Sequence, residues 1–139
     1  MDRIIDKKID LPWIEKYRPS NTDEILLDSF LLEKIYKIIE YKSIPNMILT
    51  GEPGTGKTST ILIIAKNIYT EDYHENVLEL NASDDRGLSI INNTIIPFCQ
   101  KMTNSPEKLI ILDEADSITN KAQNLLSNII AEYKKNCRF

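Results

Sequence analysis

Lys57 and Thr58 close the octapeptide Gly51-Glu52-Pro53-Gly54-Thr55-Gly56-Lys57-Thr58. Its glycines and terminal Lys-Thr pair suit one task, the holding of a polyphosphate. Glycine reaches backbone conformations that let several N–H groups point inward around a phosphate. Lys57 adds a mobile positive charge for the β- and γ-phosphates, and Thr58 offers a hydroxyl to Mg²⁺. Ser59 follows in what would be the first helical turn. The cofactors this stretch calls for are ATP and Mg²⁺.

A second group stands at Leu109–Asp116, "LIILDEAD". An aspartate at the end of an apolar strand can reach a magnesium ion held beside a neighbouring strand, and Asp113 fits that role. It lies 56 positions after Lys57, room for a helix, a strand and a second helix. Glu114 is the candidate to orient and polarise the attacking water. Asp116 is expected either to cap the following turn or to touch the metal shell through water. These residues describe a nucleotide hydrolase without saying which. Small-molecule kinases, GTPases and helicases share the loop, but a GTPase needs an Asn-Lys-x-Asp to read guanine, and the chain has none.

The elements that must position these groups are legible as periodicity. Asp28-Ser29 offers a cap for a helix carrying Leu31, Leu32, Ile35, Ile38 and Ile39. "NMILT" (46–50) reads as a short buried strand leading into the glycine loop. Ile61, Ile64, Ala65 and Ile68 repeat as a helix would from Lys57. "NVLEL" (76–80) is a second strand, ending at Asn81 and the polar run "NASDDRG". Leu88, Ile91 and Ile95 predict a helix that Pro97 shortens or kinks. "KLIILDEAD" is a third strand, continuously apolar as one covered on both faces is. Ala122, Leu125, Leu126, Ile129, Ile130 and Tyr133 mark an amphipathic helix over 120–133. "KKNCRF" reads as the start of a fourth strand. The expected fold is α/β, a parallel sheet with helices on both faces.

Bulk properties narrow the class. The chain has 139 residues, 42% hydrophobic and 27% charged, with a net charge of −4, which is ordinary for one globular domain and does not advertise nucleic-acid binding. Cys99 and Cys137 form no CxxC pair and the one histidine, His74, sits far from both in sequence. That spacing disfavours a zinc site or a disulfide scaffold and predicts two reduced thiols. No run is long enough to span a membrane, and the N-terminus lacks the apolar core of a secretory signal, so a soluble intracellular protein is expected.

Three further stretches, "LPWIEKYRP" (11–19), "LELNASDDRG" (78–87) and "KLIILDEADSITNKAQNLL" (108–126), together with "GEPGTGKTSTI", resemble the small subunits of replication factor C, the AAA+ clamp loader. The likeness covers Leu11 to Phe139 and is strongest to the small subunit numbered three in yeast and five in humans. It implies a P-loop NTPase core whose 11–25 segment is a nucleotide-binding arm, with Ile14, Tyr17 and Arg18 near base and ribose and Ile25 lining the adenine pocket. On its own residues the arm reads as a packed segment without ligand. The resemblance also implies that the Asn81 amide restrains Glu114 when DNA is absent. Arg86 opens a helix facing the DNA channel; a salt bridge to Asp84 or Asp85 is an equal reading of that arginine.

Departures from the family pattern carry expectations too. Relatives carry an arginine at the position of Asn92 and two at Ser127-Asn128, so about three positive charges are missing from the inner face and DNA contact should be weaker. The family's fourth and fifth strands, Ser-Arg-Cys arginine finger, lid and collar are not present in 1–139. The chain is thus expected to be the N-terminal portion of an AAA+ domain, truncated before the fourth and fifth strands. Without a finger its own turnover would lack a contribution of ~10³–10⁵ in rate. The implied function is ATP-driven loading of a ring clamp onto primer–template DNA, with other clamp-loader subunits, the sliding clamp and that DNA as partners. The alternative is a truncated, non-catalytic nucleotide-binding or assembly module. The implied location is the nucleus in a eukaryote, otherwise an intracellular replication compartment such as a viral factory.

Overall fold

Three parallel strands run in the order β1-β2-β3, with β2 at the centre. β1 is Val77–Asn81, β2 is Lys108–Asp113 and β3 is Cys137–Arg138. The structure is a computed structural model that describes Pro12, residues 17–84 and residues 87–139. The register sets Val77 opposite Leu109 and Asn81 opposite Asp113, and Lys108 opposite Cys137.

β2 is continuously apolar from Leu109 to Leu112 because both its faces are covered. Leu109 and Ile111 pack with Val77 against Ile35 of α1 (Ser29–Tyr41) and against Ile64 and Ala65 of α2 (Lys57–Ile68). Ile110 points the other way, among Ile91, Ile95 and Cys99 of the 88–100 helix, α3, and Ala122 and Ile129 of α4 (Asn120–Glu132). Burying each of these β2 side chains contributes about 1.5–3 kcal/mol. The layering is helix–sheet–helix, as the alternation of patterns predicts. Among the described residues no helix is long and apolar enough to cross a membrane.

The helix ends follow local chemistry. Asp28 Oδ1 accepts the N–H groups of Phe30 and Leu31, both at 3.0 Å, and opens α1. Thr119 Oγ1 accepts the Ala122 N–H at 3.4 Å and opens α4. α2 buries Thr60, Ile63, Ile64 and Ala65, a wider stripe than the Ile61/Ile64/Ile68 face of the sequence, because it packs against α1 as well as the sheet.

Two expectations are corrected. α3 is not a plain helix with a kinked end: a π turn spans Ile91–Ile95, between α-helical Leu88–Ile90 and Ile96–Gln100. Here the Ile96 N–H donates to Ile91 O, five residues back. Pro97 has no N–H and would crowd the carbonyl four residues before it, and the wider turn relieves that crowding. It also keeps Ile91, Ile95 and Cys99, each four apart, on one buried face. The second correction is "NMILT", which is neither strand nor buried. Ile48 is 88% and Leu49 40% exposed. Among the described residues its backbone link to the sheet is one bond, Met47 N–H to Phe139 O at 3.0 Å, reinforced by Phe139 N–H to Asn46 Oδ1 at 2.9 Å. A strand needs a ladder of backbone bonds, and among the described residues Phe139 supplies one, to Met47.

Candidate nucleotide site

The candidate groups gather at the C-terminal ends of β1 and β2 and the N-terminus of α2, the edge where open α/β sheets bind ligands. The loop from Gly51 to Gly56 arches over this edge. Gly56 is the residue that turns into α2, with φ 85°, a conformation side chains resist. At Gly51 a Cβ would come within 3.0 Å of Thr55 Oγ1, which itself donates to Glu52 O at 2.8 Å. Pro53 and Gly54 form the exposed crest, and Ser59 lies in the first turn of α2, half-buried.

Lys57 Nζ donates to Gly51 O at 2.9 Å and Glu52 O at 2.8 Å. The ammonium is thus held inside its own loop by two neutral acceptors, which an anionic oxygen would outcompete through a stronger, charge-assisted bond. Thr58 Oγ1 donates to Asp113 Oδ2 at 2.9 Å. A hydroxyl and a carboxylate oxygen are the donors Mg²⁺ takes. Adjacent ligands of an octahedral ion with bonds of about 2.0–2.1 Å sit about 2.9 Å apart. The pair therefore has the chemistry and spacing of two neighbouring magnesium ligands. The other carboxylate oxygen, Asp113 Oδ1, accepts the Glu114 N–H at 3.0 Å.

Glu114 sits in left-handed backbone, φ 52° and ψ 41°, which costs a non-glycine residue on the order of 1–3 kcal/mol. That bend lifts its side chain off the strand path into solvent, where it is exposed next to the Thr58–Asp113 pair. Asp116 lies in the following 3-10 turn, also exposed. At the end of β1, Asn81 Oδ1 accepts from Ser83 N–H at 2.9 Å and Ser83 Oγ at 2.8 Å, so in this structure it bonds Ser83 rather than Glu114. The tight turn after β1 makes Ser83 the nearer partner.

In the arm, Tyr17 is 73% exposed and Ile25 is buried behind a 3-10 turn, Thr22–Glu24. Ile14 and Arg86 lie outside the described residues. Asn92, Ser127 and Asn128 are all exposed.

The structure also brings forward residues the sequence reading passed over. Ser83 is one; its signal was the Asn-x-Ser spacing that builds an Asx turn. Lys108, the first residue of β2, is another: only 3% exposed, it donates to Phe98 O at 2.6 Å, Cys99 O at 2.9 Å and Lys101 O at 2.6 Å, capping the end of α3. Cys99 and Cys137 form no disulfide, and both lie buried in one core cluster. The Cys137 thiol beside it, then burial, pushes the Cys99 thiol well above the ordinary range.

A family model described as "ATPase family associated with various cellular activities (AAA)" matches residues 47–138, the span that holds the loop, Asn81, Asp113 and Glu114. The chain belongs to this AAA family. Its curated relatives include "Probable replication factor C subunit 5" of Dictyostelium discoideum, 48% identical over 93% of this chain and 38% of that protein. "Replication factor C subunit 3" of Saccharomyces cerevisiae is 46% identical over 95% of this chain and 39% of its own length. "Replication factor C subunit 5" of Homo sapiens is 46% identical over 93% and 39%. The chain therefore spans less than two fifths of the length of each of these three relatives. The fold class agrees with this family, a P-loop α/β core.

Proposed function

We propose that the chain is the nucleotide-binding part of a clamp-loader small subunit, an ATPase whose cycle seats a ring clamp on primer–template DNA. The observation that carries the reading is the 2.9 Å bond between Thr58 Oγ1 and Asp113 Oδ2 at the foot of a glycine loop. It unites the loop's hydroxyl and the strand-end carboxylate in the spacing of a shared magnesium ion. When bound, Mg²⁺ supplies charge neutralisation at the β- and γ-phosphates. Lys57 leaves its two loop carbonyls for the phosphates, and the N-terminus of α2 adds its positive end. Glu114, exposed one residue beyond Asp113, accepts a proton from the attacking water.

The relatives' names support the clamp-loader assignment, with other loader subunits, the sliding clamp and primer–template DNA as partners. Ile14, Tyr17, Arg18 and Ile25 are assigned to base and ribose, and residues 11–25 to a nucleotide-binding arm. Arg86 is assigned to a DNA phosphate. Asn92 and Ser127 are exposed and uncharged where a typical relative carries arginine, so DNA contact is weaker here. The eukaryotic relatives favour a nuclear location over a viral compartment.

The test is ATP hydrolysis by the assembled complex with clamp and primed DNA. The reading expects hydrolysis that both stimulate, and a loss of about 10²-fold or more on Glu114→Gln. Nucleotide-dependent assembly without hydrolysis would instead make the chain a non-catalytic module.

A further inference from the structure

We propose that the chain carries a guanidinium-binding cavity at the edge of the sheet opposite the nucleotide site, built from Asn76, Glu71 and Asp72. The cavity uses none of the residues assigned to the nucleotide and does not depend on the ATPase reading.

The cavity measures about 230 Å³ and opens to solvent near the N-terminal ends of β1 and β2. Thr70, Glu71 and Asp72, from the loop after α2, line it together with Asn104 and Ser105, from the loop before β2. One water needs only about 10–15 Å³, so a group of several atoms fits. The most buried polar residue in its wall is Asn76, 1% exposed. Asn76 Nδ2 donates to Asp72 O at 3.1 Å. A backbone carbonyl can only accept, so the amide atom placed there is the nitrogen. The other amide atom, Oδ1, is therefore an acceptor, buried and without a partner among the described residues. Buried acceptors are nearly always satisfied, so this one marks a place for a donor.

The surrounding charge selects the donor. Glu71 and Asp72 are exposed, and among the described residues no lysine or arginine of the chain pairs with either. Asp72 directly precedes the helical turn Tyr73–Asn76, yet its side chain makes no capping bond. Two carboxylates and a carbonyl oxygen call for a cation that carries several N–H groups. A metal ion fits less well, because the described residues hold no cluster of three His, Cys, Asp or Glu able to bind one. To reach Oδ1 the ligand must shed water, and a guanidinium is more weakly hydrated than an ammonium. Its planar fork also offers five donors to acceptors spread around one cavity. The ligand is thus a guanidinium, free or at the tip of an arginine side chain.

The experiment titrates the full 139-residue chain, isotope-labelled for NMR, with methylguanidinium chloride. At millimolar concentrations the Asn76 side-chain amide signal should move, together with the backbone signals of residues 70–76 and 104–105. Tetramethylammonium chloride, a cation of the same charge without N–H donors, should leave the Asn76 signal in place. The double variant Glu71→Gln, Asp72→Asn changes two exposed side chains and should weaken methylguanidinium binding about tenfold, the ratio expected of one charge-assisted bond. Tighter binding of a Gly-Arg-Gly tripeptide than of methylguanidinium assigns the site to a protein's arginine; weaker binding assigns it to a small free cation. An Asn76 signal unmoved by methylguanidinium would overturn the proposal. So would an equal response to tetramethylammonium, or an undiminished response in the double variant, since either would show a salt effect alone.

Discussion

Replacing Lys108 by Met isolates one buried charge whose contribution can be worked from its partners. The ammonium is 3% exposed and donates to three carbonyls, Phe98 O, Cys99 O and Lys101 O, where α3 ends. Met keeps an apolar stem of similar length but supplies no donor. Each carbonyl left unpaired in the interior costs about 1–3 kcal/mol. Two effects reduce the total. Asn136 Nδ2 stays within 3.3 Å of Cys99 O, and the bonds to Phe98 O and Lys101 O are only part-buried, so water reaches them. Removing the ammonium also relieves its own desolvation, several kcal/mol for a buried ion. The balance is a loss of roughly 2–3 kcal/mol. Urea unfolding should show a lower midpoint with an unchanged slope, and amide exchange should accelerate first over Phe98–Lys101. A variant within about 0.5 kcal/mol of wild type, the scatter of an ordinary surface change, would refute the idea that Lys108 holds the end of α3.

Other expectations follow from the same geometry. Burial, with help from the Glu107 carboxylate, pushes the Tyr69 hydroxyl up to about 12. The folded chain then holds that proton more tightly than the unfolded one, so stability falls as pH rises from about 10 to about 12, by up to roughly 2–3 kcal/mol. Tyr69→Phe should flatten that part of the alkaline unfolding curve. Cys99 and Cys137 are 1% and 0% exposed, so a thiol reagent should label neither until the chain unfolds; fast labelling of the native protein would contradict the packing around β3. Asn92→Arg and Ser127→Arg should each steepen the dependence of duplex affinity on salt by about one unit; an unchanged slope would separate these positions from DNA.

What the sequence disclosed is what short-range rules control. Asp28 announces its helix because a cap bonds within three residues. β2 announces itself because a strand covered on both faces has no polar alternation. The glycine loop is legible because Gly51 and Gly56 answer to backbone geometry that few other residues tolerate. Residues 46–50 read as a strand by composition, but pairing is a property of the neighbour, and among the described residues one backbone bond, at Met47, joins them to the sheet. The π turn at Ile91–Ile95 needed the knowledge that Ile91, Ile95 and Cys99 must share one face of the sheet. Lys108 resembled a charged strand opening; only tertiary structure shows α3 ending above it. Cys99 and Cys137 lie far apart in sequence, and only the fold buries them in one cluster. The candidate site was legible as residue types, while its couplings, Thr58 to Asp113 and Ser83 to Asn81, appear only in three dimensions.

The claim at the centre is that Lys57 holds phosphate while Thr58 and Asp113 share one magnesium ion. Calorimetric titration of ATP, with Mg²⁺ and with chelator, tests it directly. Wild type should bind ATP more tightly with Mg²⁺. Asp113→Asn should keep the metal-free affinity and lose the magnesium increment. Lys57→Ala should weaken binding about tenfold or more under both conditions, the loss expected of one charge-assisted bond. Equal affinity in wild type and Lys57→Ala, with no response to Mg²⁺ in either, would contradict the account.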